Sequence, residues 1–423
     1  MVFDSNGKNM RKECLILKIF RNNVILIALA VFVLLFSILF NAPVRAAVTI
    51  IAASNSDSSW KSQATAVCSG TNDQNTISAY LTAGNTVELA PGTFNISAAG
   101  YINPASNSRL YGQGNTTIIN LQSSMIYISN KNNVEIDHFK ITGTTVGVGA
   151  VFIGSSGAAV SGFNIHDILC TITGDQTDFQ VYANNYMVSN IVFSRCDASN
   201  PDGFGFYIGG EGAPQTVQNI TYYKCSVENA GVASSRKNIW ATGFDLAETT
   251  GLTVNHLYVI SCSVNGAWES DYHFEDAPTK LDCVLTGNYA TRGGLKPSSI
   301  YGYGFVNITG DVIFNNNAAD NNAKGDLRTN AGVYTPIVNV VSSTGSTKTA
   351  ATVSQGNCSG VIINLDSTHK ELVLYSNDGN AVNQQIELGA TYMGNDGNTY
   401  SFSGTRIITQ FADYAVIKLV KSY

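Results

Sequence analysis

"NIVFSRC" (190–196), "NITYYKC" (219–225) and "HLYVISC" (256–262) are one phrase written three times. "NIHDILC" (164–170) closes on a cysteine in the same way. "NVEIDHF" (133–139) fits with Phe139 in the cysteine position, and "DVIFNNN" (311–317) fits with Asn317 there. Cys170, Cys196, Cys225, Cys262 and Cys283 recur every 21 to 37 residues. Two residues past the closing position stand Ile141, Ile172, Ala198, Val227, Val264 and Leu285. An apolar column held at such a period is the mark of a solenoid.

Short alternating strands between Asn- and Gly-rich turns select a β-helix over helical repeats. No coil buries its own apolar face, and stacking coils at the ~4.8 Å strand spacing makes one continuous core. Within it the cysteines serve as small apolar residues. The eight cysteines of an exported chain also allow disulfides, and Cys68 and Cys358 stand outside the ladder.

A second column precedes the first. Its versions are "AVFIGSS" (150–156), "FQVYANN" (179–185), "GFYIGGE" (205–211), "GFDLAET" (243–249), "DYHFEDA" (271–277) and "GYGFVNI" (302–308). Val151/Ile153, Phe206/Ile208, Phe244/Leu246, Tyr272/Phe274 and Tyr303/Phe305 should point inward, and the odd positions outward.

Upstream, "TNDQNTISAYL" (71–81) predicts a short amphipathic helix, followed by strands in "NTVELAPGTFNI" (85–96) and "SNSRLYGQGNTTIINL" (106–121). This head resembles that of the right-handed parallel β-helix, or pectate-lyase-like, superfamily. The resemblance covers roughly residues 67 to 335. It implies an all-β fold: a right-handed parallel β-helix solenoid with an N-terminal helical cap. It does not fix the chemistry, because that superfamily hosts lyases, hydrolases, epimerases, tail spikes and adhesins. The expected organisation is a signal peptide over 1–46, an N-terminal extension over 47–66 and the β-helix over 67–336. A linker over 337–352 and a small C-terminal β-domain over 353–423, a sandwich or barrel, complete it.

Arg11, Lys12, Lys18 and Arg21 precede the apolar run "VILIALAVFVLLFSILF" (24–40), with Val44 and Ala46 placed for cleavage. This reads as a secretory signal; an uncleaved anchor is the alternative. Either way the expected location is secreted or cell surface, with any membrane contact confined to this segment. Charged residues are 13% of the chain, against ~25% in ordinary domains. The net charge of −6, with no basic stripe, gives no basis for nucleic-acid binding.

The expected outward slot of the second column holds Phe152, Val181, Tyr207, Asp245, His273 and Gly304. Tyr207, Asp245 and His273 should therefore occupy adjacent rungs, with Glu275 and Asp271 flanking His273 on its strand. Trp240 and Trp268 each precede these positions by five residues. Arg236, Lys237 and Arg292 lie in neighbouring loops. Tryptophans can stack on sugar rings and carboxylates can bind hydroxyls, so this set forms a candidate groove for an extracellular polysaccharide; a solvated polar face is the plain alternative.

Two mechanisms suit it. In β-elimination or C5 epimerisation of a uronide, His273 is the base, oriented by Asp245. Tyr207 is then the acid, and Arg236, Lys237 or Arg292 neutralises the substrate carboxylate. In inverting hydrolysis Asp245 and Glu275 flank the bond, about 8 Å apart from strand geometry. The polygalacturonase-type set N-T-D, D-D, G-H-G, R-x-K is not complete, and the lyase-type R-x-P-x-x-R is absent. Catalysis therefore rests on register alone, and a non-catalytic structural or adhesive surface protein stays open beside it.

No cofactor or metal is expected. Asp175, Asp178 and Asp202 could offer loop oxygens to Ca²⁺, but ordinary turn acids explain them. Asp137/His138 and His166/Asp167 share no column in this reading and are taken as surface residues.

Overall fold

The structure, a computed structural model, describes residues 48–145, 149–173, 177–231, 240–275, 278–295, 302–306, 312–315 and 317–329. Beyond these it describes the strands Gly332–Tyr334, Ala350–Gln355, Cys358–Asn364, His369–Ser376, Thr391–Met393, Thr399–Ser401, Ile407–Gln410 and Tyr414–Val420. The apolar run 24–40 and the loop carrying Arg236 and Lys237 lie outside the described residues. Among the described residues no helix is long and apolar enough to cross a membrane.

The chain is a right-handed parallel β-helix. One large sheet carries two strands of most coils, such as Val188–Ser194 and Asp197–Ser199. A nine-stranded sheet carries the third and runs in order from Ile126–Ser129 through Val151–Ser155, Thr177–Asn184, Phe204–Glu211, Phe244–Asp245, Tyr272–His273 and Tyr303–Val306. Gly325–Thr329 extends it in parallel, and Gly332–Tyr334 closes it with an antiparallel pairing.

Each coil turns at corners where one residue takes left-handed backbone angles. Asn133, Gly162, Asn190, Asn219, His256 and Asp282 form one such column, with φ from 52° to 85°. His138, Asp167, Arg195, Lys224, Ser261 and Gly287 form the second, and Asn200, Asn229, Gly266, Arg292 and Asn321 the third. Asparagine tolerates this region because its short amide bonds locally. The amides also link coil to coil, as Asn219 Nδ2 donates to Asn190 Oδ1 at 3.1 Å and Asn229 Nδ2 to Asn200 Oδ1 at 3.1 Å.

These corners fix the register and correct parts of the sequence reading. Phe139 pairs with Ile168, and the residues just after Cys196, Cys225, Cys262, Asn288 and Asn317 pair in turn. The ladder is thus Phe139, Ile168, Cys196, Cys225, Cys262, Asn288, Asn317. Phe139 and Asn317 stand where expected, but Cys170 and Cys283 do not. In the 160s Gly162, not Asn164, takes the left-handed turn (φ 85°), so the phrase starts two residues early. Cys170 pairs instead with Ile141 and Ala198. Val284 pairs with Tyr258, which places Cys283 beside Leu257. Ile172 and Leu285 likewise pair with Gly143 and Val259, outside the expected column.

Cys196, Cys225 and Cys262 are buried thiols rather than disulfides. Their successors change chemistry: Asn288 Nδ2 donates to the Val259 carbonyl (2.8 Å) and to Asn317 Oδ1 (2.9 Å), and Asn317 Nδ2 to the Leu285 carbonyl (2.9 Å). Burial without loss of hydrogen bonds makes this substitution tolerable.

The core is ordered along the axis. Phe179, Phe206, Phe244, Tyr272 and Phe305 stack with ring centroids 4.6 to 5.0 Å apart and planes within 11° of parallel. Phe193 and Tyr222 face them edge-on. Tyr303, expected opposite Tyr272, is displaced by two residues, because Phe305 takes that place.

At the N-terminal end the predicted helix is Asp73–Tyr80. Buried Asp73 accepts from the amides of Gly70 and Asn95 at 2.9 and 2.8 Å, and Ile77 enters the core. The stretch expected as an N-terminal extension is instead coil: Val48–Ala52 pairs in parallel with Thr86–Leu89. Its apolar run "TIIA" supplies the missing rung. In the tail, five described strands form an antiparallel sheet, beginning at Ala350 within the expected linker.

Candidate functional site

Strand parity and register bring Tyr207, Asp245 and His273 onto three successive rungs, as expected. Tyr207 pairs with Asp245, and Asp245 with His273. The slot continues to Gln180 and Phe152 on one side and to Val306 on the other, which replaces Val181 and Gly304 of the sequence reading. Val181 and Phe179 point inward with Ile153 and Val151.

The strands shorten at the site. Phe204–Glu211 is eight residues long, whereas Phe244–Asp245 and Tyr272–His273 are two each. Beyond them the alternation of the strand lapses, and this lets acids converge that strict parity would separate. Glu248 stands close enough to act on the Asp245 carboxyl, whose Oδ1 is buried without a hydrogen-bond partner. His273 Nε2 lies 3.7 Å from Glu275 Oε1. Glu269 adds a further carboxylate near Asp245. Asp245, His273 and Glu269 are nearly inaccessible to solvent, while the Glu275 side chain is 38% exposed.

Burial pushes the Asp245 carboxyl well above its ordinary range, and Glu248, Glu275 and Glu269 push it further. Burial and Glu275 raise Glu248 as well, against Asp245, which lowers it. Two neighbouring carboxyls cannot both ionise cheaply in a dry setting. Burial, then Asp245 and Glu248, keep the Tyr207 phenol protonated. The site thus offers a proton donor, Asp245/Glu248, and a histidine–carboxylate pair at the solvent edge.

Glu248 and Glu269 were not singled out from the sequence. Glu248 is the sixth residue of "GFDLAET", an inward position had the strand continued past Asp245. Glu269 follows Trp268 in the turn before the next strand, where side-chain direction has no periodic signal.

Two expected members are placed elsewhere. Asp271 does not face outward; it is fully buried at a corner. There Arg292 and the Gly293 amide favour its charged form, but burial dominates and pushes its carboxyl well up. The Arg292 guanidinium is committed to Asn229 Oδ1 (2.7 Å) and the Asn265 carbonyl (3.2 Å), because Arg292 occupies the third left-handed corner. Trp240 and Trp268 are neighbours through the bond from the Glu269 amide to the Ala241 carbonyl (3.0 Å). Trp240 is 50% exposed and Trp268 half-buried.

Asp178 is not a loop ligand for Ca²⁺. It is fully buried in the strand Thr177–Asn184, and burial pushes its carboxyl well up toward the neutral form. Asp175 lies outside the described residues.

A second cluster corrects the reading of the "DHF" and "IHD" segments. Asp137 and His166 are direct register partners. Arg109 grips both oxygens of buried Asp137 at 2.8 and 2.9 Å, and Arg195 grips Asp167 at 2.7 and 2.8 Å. His166 joins them through Nδ1 to Asp167 Oδ2 (2.7 Å) and Nε2 to Glu135 Oε1 (3.0 Å). Burial opposes a charged His166, but these carboxylates outweigh it and lift the imidazole to about 9. Asp137, His138 and His166 bring one donor atom each within 4.8 Å of the others. With the Asp137 oxygens held by Arg109, the arrangement is an ion-pair network across four coils.

No family model and no curated protein matches the chain. Among solved structures it is similar to ORF18 of Geobacillus virus E2, at 13% identity, with 78% of this chain and 82% of that one covered and a TM-score of 0.31. It is also similar to tailspike gp49 of Acinetobacter baumannii bacteriophage Fri1, a capsular polysaccharide depolymerase (11% identity, 88% and 83% covered, TM-score 0.30). The A-module of the Azotobacter vinelandii mannuronan C-5 epimerase AlgE4 matches at 13% identity over 64% and 95%, with a TM-score of 0.21. These likenesses concern the fold and leave the chemistry to the residues.

Proposed function

We propose that the chain is an extracellular β-helix protein that binds a polysaccharide across its nine-stranded sheet and hydrolyses it at Asp245, Glu248, His273 and Glu275. One observation carries this reading. Asp245 and His273, on the outer slot of the sheet, are buried together with Glu269 of the preceding turn, with Glu248 beside Asp245. Burying like charges costs stability, and groups with strongly displaced proton affinity gather at sites that move protons.

The roles follow from the environments. Asp245, its proton affinity raised by burial and by Glu248, serves as general acid to the leaving oxygen. Glu275, exposed and beside His273, receives the proton of the attacking water. Tyr207 donates a hydrogen bond, and Trp240 gives a sugar ring an exposed face.

Uronide elimination or epimerisation asks for a cation beside the substrate carboxylate. The influences on Asp245 beyond burial are carboxylates, and Arg292 is bound elsewhere. Hydrolysis therefore ranks above it, with Lys280, whose Nζ donates to the Glu275 carbonyl at 2.7 Å, and the Arg236/Lys237 loop as the elimination reading's sources of charge.

The test is incubation of the purified protein with neutral and anionic polysaccharides. New reducing ends without unsaturated product are expected, falling at least a hundredfold in Asp245→Asn and Glu275→Gln. Unsaturated ends would favour elimination. Binding without any product, unchanged in both variants, would leave a non-catalytic surface protein.

A further inference from the structure

The outer face of the nine-stranded sheet changes character along the solenoid axis. At one end stand Asp245 and His273. Toward the N-terminal coils the face becomes aromatic. Tyr101, Tyr127, Phe152 and Tyr182 form a file with successive ring centroids 5.5, 5.2 and 6.4 Å apart. Tyr127 pairs in register with Phe152, and Phe152 with Gln180, whose next partner is Tyr207. The file therefore runs by backbone pairing into the acid cluster.

The file is not core. Tyr101 is 45% exposed, and Tyr127, Phe152, Tyr182 and Tyr207 are half-buried. The sequence makes room for the rings. A Cβ on Gly154 would lie 2.5 Å from Phe152 Cε1, and one on Gly209 would lie 2.5 Å from the Tyr207 hydroxyl. Both rings thus lean along their strands over a bare glycine two residues on. A contiguous apolar file held at the surface marks a contact face.

We propose that this file is the track on which a neutral glycan lies, parallel to the solenoid axis, with its reacting bond at Asp245 and His273. The inference rests on the functional reading above and adds the class of substrate and its direction. Three features carry it. The rungs advance by ~4.8 Å, close to the length one sugar residue adds to an extended chain, so successive sugars meet equivalent surroundings. The track residues themselves are uncharged, with Gln180 between Phe152 and Tyr207. The ionisable groups at its reacting end are mostly acids, Asp245, Glu248, Glu269 and Glu275, with His273 and with Lys280, whose Nζ donates to the Glu275 carbonyl at 2.7 Å. A polyuronate or sulfated chain would meet repulsion there, whereas a neutral chain places C–H faces against the rings and hydroxyls against the acids.

The experiment compares binding of neutral and polyanionic polysaccharides by affinity electrophoresis at low and high salt. Phe152→Ala, Tyr182→Ala and the double variant are measured, with Phe152→Tyr as the conservative control and thermal unfolding as the check on folding. The expected result is salt-independent binding of a neutral glycan. Affinity should fall at least tenfold in the double variant, more steeply for longer chains, and Phe152→Tyr should retain it. Preferential binding of a polyanion that weakens with salt would overturn the substrate class. Neutral-glycan cleavage that depends on Asp245, with affinity unchanged in the track variants, would overturn the track while the functional reading stands. If no glycan is bound or cleaved, both fall.

Discussion

Replacing Asp245 with asparagine should make the protein more stable as pH rises, relative to the wild type. The Asp245 carboxyl is held protonated by burial and by Glu248, Glu275 and Glu269. In the unfolded chain it ionises near ~3.9. Above about pH 4, therefore, the native state binds one proton that the unfolded state has released. Stability then falls with pH, by about 1.4 kcal/mol for each unit over which that proton is retained. The Asp245→Asn substitution removes this dependence. The difference between the two urea-unfolding free energies should widen as pH rises above about 4, by up to about 1.4 kcal/mol per pH unit. Tryptophan fluorescence reports the transition, since Trp240 and Trp268 flank the site. A constant offset between substitutions does not affect the slope. Parallel stability curves over this range would show that Asp245 ionises normally in the folded protein, and the argument for Asp245 as a proton holder would fail. Loss of glycan turnover in the same variant would complete the trade of stability for chemistry.

Three further outcomes can be checked. Phe244→Ala opens the middle of the stack between rings 4.6 and 5.0 Å away and should cost about 3–5 kcal/mol in urea unfolding. Asn317→Ala strips acceptors from the Asn288 amide and side chain, and should cost about 1–3 kcal/mol by the same measurement. Asp167→Asn should lower the His166 pKa, lifted from 6.5 to about 9, by at least about one unit in NMR titration. The sign follows from the direction of each shift: the raised His166 stabilises the fold below 6.5 and loses this as pH passes about 9. The lowered Asp167 stabilises above 3.8 and loses this on acidification, so the network should contribute most between those values.

The solenoid was legible because its constraints repeat. A side chain at the ladder position must be small or flat in every coil, so Cys196, Cys225 and Cys262 announce one another. Where one residue type substitutes for another in a geometric role, the repeat misleads. Gly162 does what asparagine does in neighbouring coils, and aligning on Asn164 shifted the phrase by two residues. The three rungs Tyr207, Asp245 and His273 were legible because they lie on strands with period two. Asp271 misled because it lies in the turn before the two-residue strand Tyr272–His273, where its carboxyl is buried. Glu248 and Glu269 stayed hidden because they stand where the strands have ended, and contact there depends on the path of irregular backbone. Likewise, Asp137 and His166 pair only in the true register, which the two-residue shift concealed.

The two faces of one sheet explain why this solenoid can hold so costly a cluster. Inward, the rings from Phe179 to Phe305 stack without interruption past the site. Phe244 and Tyr272 therefore anchor the backbone immediately beside Asp245 and His273, even though their strands are two residues long. Outward, the same rungs stand outside the ring stack and change from aromatic to acidic within one step, from Tyr207 to Asp245. Because coils contact chiefly their neighbours, the penalty of the buried acids stays local, and the coils on either side supply the stability that opposes it. A compact globular core would spread such a defect through shared packing. Here the alternation of the strand separates the residues that hold the coil from those that can act on a glycan, so the acid cluster can be varied by substitution while the inward stack is left intact.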